Sequence, residues 1–166
     1  MFHEKHSCMK QGLKAEAVFT LRYSEARYLH VLAQLDEKDL WWRPYEAANA
    51  AGNIVLHACG NMRQWLIAGL GGGQDTRDRE GEFAARSGHD AASLSRLLQE
   101  TVNEAVSVIE GMEKDDWLET RHVQNWPVTG LGAMMHGVAH FEGHAQEVIY
   151  IARLRLGEAY RFKDVY

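Results

Sequence analysis

Apolar positions in this chain recur at intervals of three and four over four long stretches, the period of a helix with one buried face. From about Gly12 to Leu35, Leu21, Tyr28, Leu32 and Leu35 fall near one stripe. From about Gly52 to Leu70, Ile54, Ala58, Met62, Trp65 and Leu66 keep helical spacing, with Ala51 or Asn53 near the start. A third stretch follows Asp90, whose carboxylate can cap it, and carries Leu94, Leu97, Leu98, Val102, Ala105, Val106 and Ile109 up to Gly111. The fourth runs from about Thr129 to Leu156 and stops before Gly157, as helices often do. No run of five or more positions alternates apolar and polar residues with β-branched enrichment, so strands are not expected.

The breaks between these stretches have physical causes. Proline disfavours helix for itself and for the residue before it, and Pro44 ("WWRPYE") and Pro127 ("QNWPVTG") each sit in such a gap. Asp36 and Asp39 offer caps after the first stretch, and the glycines of "GLGGGQD" (69–75) end the second. The pattern predicts an all-α four-helix bundle, organised as a single domain over 1–166. The 71–89 connection is long enough to run down the length of a bundle. Up-down-down-up and simple up-and-down wiring therefore both fit the pattern.

Charge narrows the partners. The net charge is −5 and the Lys and Arg residues are dispersed, so the basic footprint that phosphate binding needs is missing and no nucleic-acid partner is expected. The two cysteines, Cys8 and Cys59, form no CxxC pair, which fits a reducing compartment. The polar start "MFHEKHSCMKQGLK" has no signal-like apolar run, and the apolar stretches are interrupted well before the ~18 residues of a membrane span. A cytoplasmic location with no membrane partner is the expectation.

The candidate chemistry is in "HGVAHFEGH", where His136, His140 and His144 stand at intervals of four. Residues four apart share a helix face, so two such imidazoles can hold one metal ion without distorting the helix. Each step drifts by about 40°, so the pair is either His136/His140 or His140/His144. The apolar stripe through Phe141, Ala145, Val148 and Ala152 favours the latter, with His136 nearer the rim. A third ligand is needed. His57, in "NIVLHACGNM", and then His30 are the candidates, whereas His3, His6, His89 and His122 look peripheral. Glu147 could be a fourth ligand, an acceptor for a ligand's second nitrogen, or a base acting through bound water. Cys59 lies ~200° from His57 around the helix and reads as a small buried residue.

Three blocks, "NIVLHACGNMRQW" (53–65), "DTRDREGEF" (75–83) and "HFEGHAQEVIYIARL" (140–154), resemble the DinB-like superfamily, in particular its DUF1572 branch. The likeness extends over most of the chain. It departs at Ala145–Gln146, where members often have Gly before the Gln. The resemblance implies an up-down-down-up bundle, a homodimer, and a divalent metal ion held by one histidine of the second helix and two of an HxxxH on the fourth. Carried onto this chain, these are His57, His140 and His144, and His136 has no ligand role. Three imidazoles suit zinc, nickel, cobalt, copper or iron, with zinc or nickel expected first.

The resemblance also implies a small-molecule substrate and two chemistries. Transfer of a low-molecular-weight thiol to an electrophile is the first, and metal-dependent hydrolysis, with Glu147 or a loop carboxylate shuttling the proton, is the second. A non-catalytic metal- or ligand-binding stress-response dimer is a further reading, and a metal-free structural bundle requires His57 to face away from His140 and His144. The dense charges of Asp75, Arg77, Arg79 and Glu82 are expected to serve structure or an interface, outside the active site. The tryptophans are expected mainly in packing, with Trp126 as a possible wall of the metal pocket.

Overall fold

The computed structural model describes residues 2–113 and 115–162. Its elements, in chain order, are α1 (Phe2–Leu32), α2 (Glu37–Leu40), α3 (Ala51–Met62) with a π-helical continuation (Arg63–Leu70), α4 (Arg79–Ala84), α5 (Ala91–Gly111), β1 (Thr120–Val123), β2 (Trp126–Thr129) and α6 (Gly130–Leu156). A 3-10 turn, Gly157–Ala159, follows α6. The four expected helices are α1, α3 with its continuation, α5 and α6.

Their directions follow from who meets whom. The Arg27 guanidinium reaches Glu142 and Tyr28 lies against Phe141, while further along both chains Asp39 meets Arg155, so α1 and α6 run parallel. Lys14, early in α1, donates to the carbonyls of Glu110 and Met112 at the end of α5, so those two are antiparallel. Trp65 stacks on His136 and His57 lies by His144, so α3 and α6 are antiparallel. The connection from Leu70 to Asp90 then retraces α3 from end to start. Asp75 accepts from Gln64, Glu82 meets His57, and the Asn53 amide donates to the carbonyls of Glu82 and Ala85. It delivers the chain back to the start of α3, and α5 therefore runs parallel to it. The bundle is up-down-down-up.

One apolar core joins the helices: Leu21, Tyr28 and Leu32 of α1, Ile54, Ala58 and Met62 of α3, Leu94, Leu98, Val102 and Ile109 of α5, and Met134, Phe141, Ala145 and Val148 of α6. Helix α3 is the most deeply covered, with nearly every side chain buried between α5, α6 and the retracing connection. Burial on that scale requires its polar residues to find partners within the protein.

Three features differ from the sequence expectation. Helix α1 starts at Phe2 rather than near Gly12; a lone mid-helix glycine costs only about 1 kcal/mol, and the helix-favouring residues around it carry the turn through. Asp36 caps a separate short helix, α2, by accepting from the Asp39 N–H. Strands are present as well: β1 and β2 form an antiparallel hairpin whose two-residue turn is Gln124–Asn125, both at positive φ. Such a turn matches the twist of the paired strands, but with four residues per strand it is too short to show an alternating pattern. Pro127 sits in a two-stranded ribbon, where every strand is an edge and a missing N–H is tolerated.

The hairpin leads directly into the fourth helix. Thr129 pairs with Thr120 as the last residue of β2, and its hydroxyl accepts from the Gly132 N–H as the N-cap of α6. Next to it, a Cβ on Gly130 would overlap the Asp116 carbonyl oxygen, so only glycine lets the chain pass there. No helix among the described residues is long and apolar enough to cross a membrane.

Candidate metal centre

The α3–α6 seam brings three imidazoles together. The ring centroids of His57 and His140 are 5.1 Å apart, those of His57 and His144 4.9 Å, and those of His140 and His144 4.4 Å. One nitrogen from each ring lies within 4.8 Å of the others. His57 is 7% exposed, whereas His140 and His144 are half-buried and open the cluster to solvent. His30 is elsewhere, bonded to the Arg161 carbonyl and to Gln34. The His89 backbone carbonyl accepts from Trp41 Nε1, and His122 is exposed on β1. The side chains of His3 and His6 lie outside the described residues.

Two of the rings are oriented by carboxylates. His144 Nδ1 is 2.7 Å from Glu147 Oε2, and His57 Nδ1 is 3.1 Å from Glu82 Oε2. At His144 an Nδ1–H held this way fixes the tautomer and leaves the Nε2 lone pair for an ion. His57 Nδ1 also faces Arg77 Nη2, and an ion on its Nε2 requires the tautomer that donates to Glu82. Of the three roles open to Glu147, its geometry matches the acceptor. The third ring differs: His140 Nδ1 is buried without a hydrogen-bond partner. Burial, and after it the neighbouring His144, His57, His136 and Arg77, push the His140 pKa down to about 3. The ring is thus neutral at ordinary pH, the form in which imidazole ligates.

The charged segment after the triple glycine corrects the sequence expectation. It lies against the histidines. Arg77 donates from Nε to Glu82 Oε1 at 2.7 Å and from Nη2 to Oε2 at 2.8 Å, a bidentate pair, while Nη2 also stands 3.0 Å from His57 Nδ1. The Arg77 side chain is 3% exposed and that of Glu82 10%. Burial raises the Glu82 carboxyl, but the hydrogen bonds from Arg77 and His57 outweigh it and hold the group below its usual range. Room for this pair comes from Gly60, one turn beyond His57, where any Cβ would overlap Glu82 Oε1. Gln64 extends the network by accepting from Arg77 Nη1 and from Gln124 of the hairpin turn. On the same segment Phe83 packs 4.6 Å from the His57 ring, with the Arg79 guanidinium 5.0 Å above Phe83.

His136 is exposed and stacks on Trp65 with centroids 3.7 Å apart, 5.6 Å from His140. Trp126 does not wall the pocket. It is 70% exposed on the hairpin, and Trp65 is the tryptophan that lines the seam. Cys59, buried behind His57, has its thiol pushed up to about 12, chiefly by burial.

The family model for DUF1572, described as a protein of unknown function, matches residues 12–165. The chain belongs to the DUF1572 family. Its fold is shared with a conserved protein from Enterococcus faecalis, with a TM-score of 0.74 at 18% identity, covering 87% of this chain and 97% of the other. It is shared also with the DinB-like protein YjoA of Bacillus subtilis, with a TM-score of 0.67 at 13% identity and 89% and 96% coverage. No curated protein matches the chain. At these identities the likeness is one of fold, and the chemistry has to be read from the site.

That site suits a divalent ion of borderline softness. It offers three imidazole nitrogens on two rigid helices, two of the rings oriented by carboxylates, and no fourth His, Cys, Asp or Glu joins the cluster among the described residues. The sequence alone did not identify Glu82, Arg77 and Gln64 as parts of it. The one available signal was the small run Ala58–Cys59–Gly60 after His57, which marks a face of α3 where another segment packs closely.

Proposed function

We propose that this protein binds one divalent metal ion through His57, His140 and His144 and uses it to transfer a low-molecular-weight thiol to an electrophilic small molecule. The observation that carries the reading is the carboxylate arrangement. Glu82 and Glu147 are both engaged on Nδ1 atoms, so neither closes the ion's fourth position. A bound divalent ion supplies a lowered pKa for a water or thiol placed there, making a nucleophile at neutral pH.

The chain's own residues supply the rest. Glu82 and Glu147 hold the His57 and His144 rings in place, and Arg77 keeps Glu82 ionised and fixed. Phe83 covers one side of His57. The exposed Arg79 guanidinium above it, in no ion pair among the described residues, presents positive charge to an anionic thiol or acceptor. Glu147 on His144 is also placed to take up a proton at the half-open edge of the site, the arrangement a hydrolytic reaction would need. Zinc or nickel is the ion we favour. A homodimer remains our expectation for the assembly, as the family resemblance implies.

The test is metal content by plasma mass spectrometry on untagged protein, for wild type and His140→Ala, followed by a glutathione-transfer assay with a model electrophile. We expect about one ion per chain, lost in the variant, and a transfer rate that falls to background on chelation. Protein that takes up no metal after soaking with zinc or nickel refutes the site. A full complement of metal with only background transfer and no hydrolysis leaves the metal site and removes the enzyme.

A further inference from the structure

The deep burial of α3 leaves an account unfinished at one residue. Three polar side chains recur along this helix at intervals of four: Asn53, His57 and Asn61. Asn53 is satisfied by the Glu82 and Ala85 carbonyls and by the Ala50 N–H, and His57 by Glu82. Asn61 is 4% exposed, and its Oδ1 is buried with no hydrogen-bond partner. A buried amide oxygen left this way costs about 1–3 kcal/mol, so its persistence calls for an explanation.

The antiparallel packing shows what it faces. His57 stands by His144 at 4.9 Å, and Trp65, two steps of four further along α3, stands by His136 at 3.7 Å, two steps of four back along α6. Between these two rungs, one step along each helix, are Asn61 and His140. Leu66, which meets Gly137, confirms the register on the far side. Two ring nitrogens of the seam are buried without a hydrogen-bond partner, His140 Nδ1 and Trp65 Nε1. Asn61 Oδ1 accepts and both nitrogens can donate, but Trp65 belongs to the next rung, stacked on His136, whereas the register puts His140 on the rung of Asn61.

We propose that Asn61 positions His140: its Oδ1 accepts the Nδ1–H of that ring across a single buried water and turns Nε2 toward the other two histidines. Each of the three rings then has an acceptor on Nδ1, namely Glu82, Asn61 and Glu147. The middle acceptor is neutral. Asn61 thus fixes the orientation of His140 without adding a third negative charge around the ion. The consequence for metal affinity rests on the metal-site reading above, whereas the tautomer does not.

The experiment reads the tautomer first, in metal-free full-length protein, from imidazole nitrogen-15 NMR with His140 assigned by a His140→Gln variant. Wild type should hold His140 as the Nδ1–H form. Asn61→Leu should shift it toward Nε2–H, and Asn61→Asp, which keeps an acceptor, should restore Nδ1–H. Zinc affinity, by competition with a chromophoric chelator, should fall about 10- to 100-fold in Asn61→Leu and not in Asn61→Asp. Nε2–H in wild type, or a His140 tautomer unchanged in Asn61→Leu, overturns the proposal. Coordination of zinc through Nδ1 of His140 does the same. If wild type takes up no zinc while the tautomer responds as expected, Asn61 keeps its role and the metal reading fails. Where Asn61→Leu does not melt cooperatively, Asn61→Ala replaces it as the loss variant.

Discussion

Replacing Glu82 with Gln keeps the size of the side chain and removes one charge from a pair largely shielded from water. Arg77 has its side chain 3% exposed and two of its donors on the Glu82 carboxylate, at 2.7 and 2.8 Å. After the change, the guanidinium remains buried with no charged partner, facing the Gln64 carbonyl, the His57 ring and backbone carbonyl, and a neutral amide. Leaving one member of a buried pair uncompensated costs about 3–5 kcal/mol. For a chain of this length 1 kcal/mol moves the midpoint by about 2–4 °C, so metal-free Glu82→Gln should melt about 6–20 °C below wild type. Circular dichroism in the presence of a chelator measures this. The double variant Arg77→Leu/Glu82→Leu removes both charges and should melt closer to wild type than either single variant, because an apolar replacement of the whole pair is often neutral. Its metal affinity should stay low, since His57 loses its acceptor in either case. A Glu82→Gln melt within about 2 °C of wild type, less than ~1 kcal/mol, would refute the reasoning by showing that solvent compensates Arg77.

Other outcomes follow from single contacts. Gly60→Ala should push the Glu82 carboxylate away from both Arg77 and His57, weakening zinc binding about 10-fold or more in a chelator competition and lowering the melt in the same direction as Glu82→Gln. Tyr28→Phe removes a buried hydroxyl that donates to the Phe141 carbonyl at 3.0 Å, and urea unfolding should show a loss of about 0.5–1.5 kcal/mol. Cys8 is exposed whereas Cys59 is buried with its thiol pushed up to about 12. A chromogenic disulfide reagent at neutral pH should therefore titrate Cys8 quickly and Cys59 only on unfolding; fast modification of both would mean that the α3–α5 face opens readily.

What the sequence made legible has a common character. The spans of α3, α5 and α6 were readable because each buries an apolar stripe of helical period, and the HxxxH was readable because its spacing is set by the same period. His57 stands first among the candidates for the third ligand, but only the family resemblance selects it over His30, since one histidine in an apolar helix has no histidine at a periodic spacing. The contribution of the 75–83 segment was hidden for a different reason. Alternating Asp, Arg and Glu beside glycines have the composition of a solvated loop, and what draws them inward is a gap at Gly60 and the open hydrogen-bonding capacity of His57 and Asn53. Both belong to another helix. The hairpin was hidden by its brevity and by a turn made from Gln124 and Asn125 where glycine would have marked it.

Thr129 ends a strand and begins the ligand helix, and that double duty sets an angular phase. Hairpin pairing fixes where α6 starts, and Gly130 under the Asp116 carbonyl fixes how it leaves. A residue added or removed between Thr129 and His136 would turn every ring downstream by ~100° about the helix axis, swinging His140 and His144 out of the seam while leaving the fold's composition intact. Extra residues at Gly71–Gln74 carry no such penalty, because the connection there is exposed and docks again only at Asp75. Lineages that vary the length of this protein should therefore do so in the retracing connection, and hold the interval between hairpin and histidines constant.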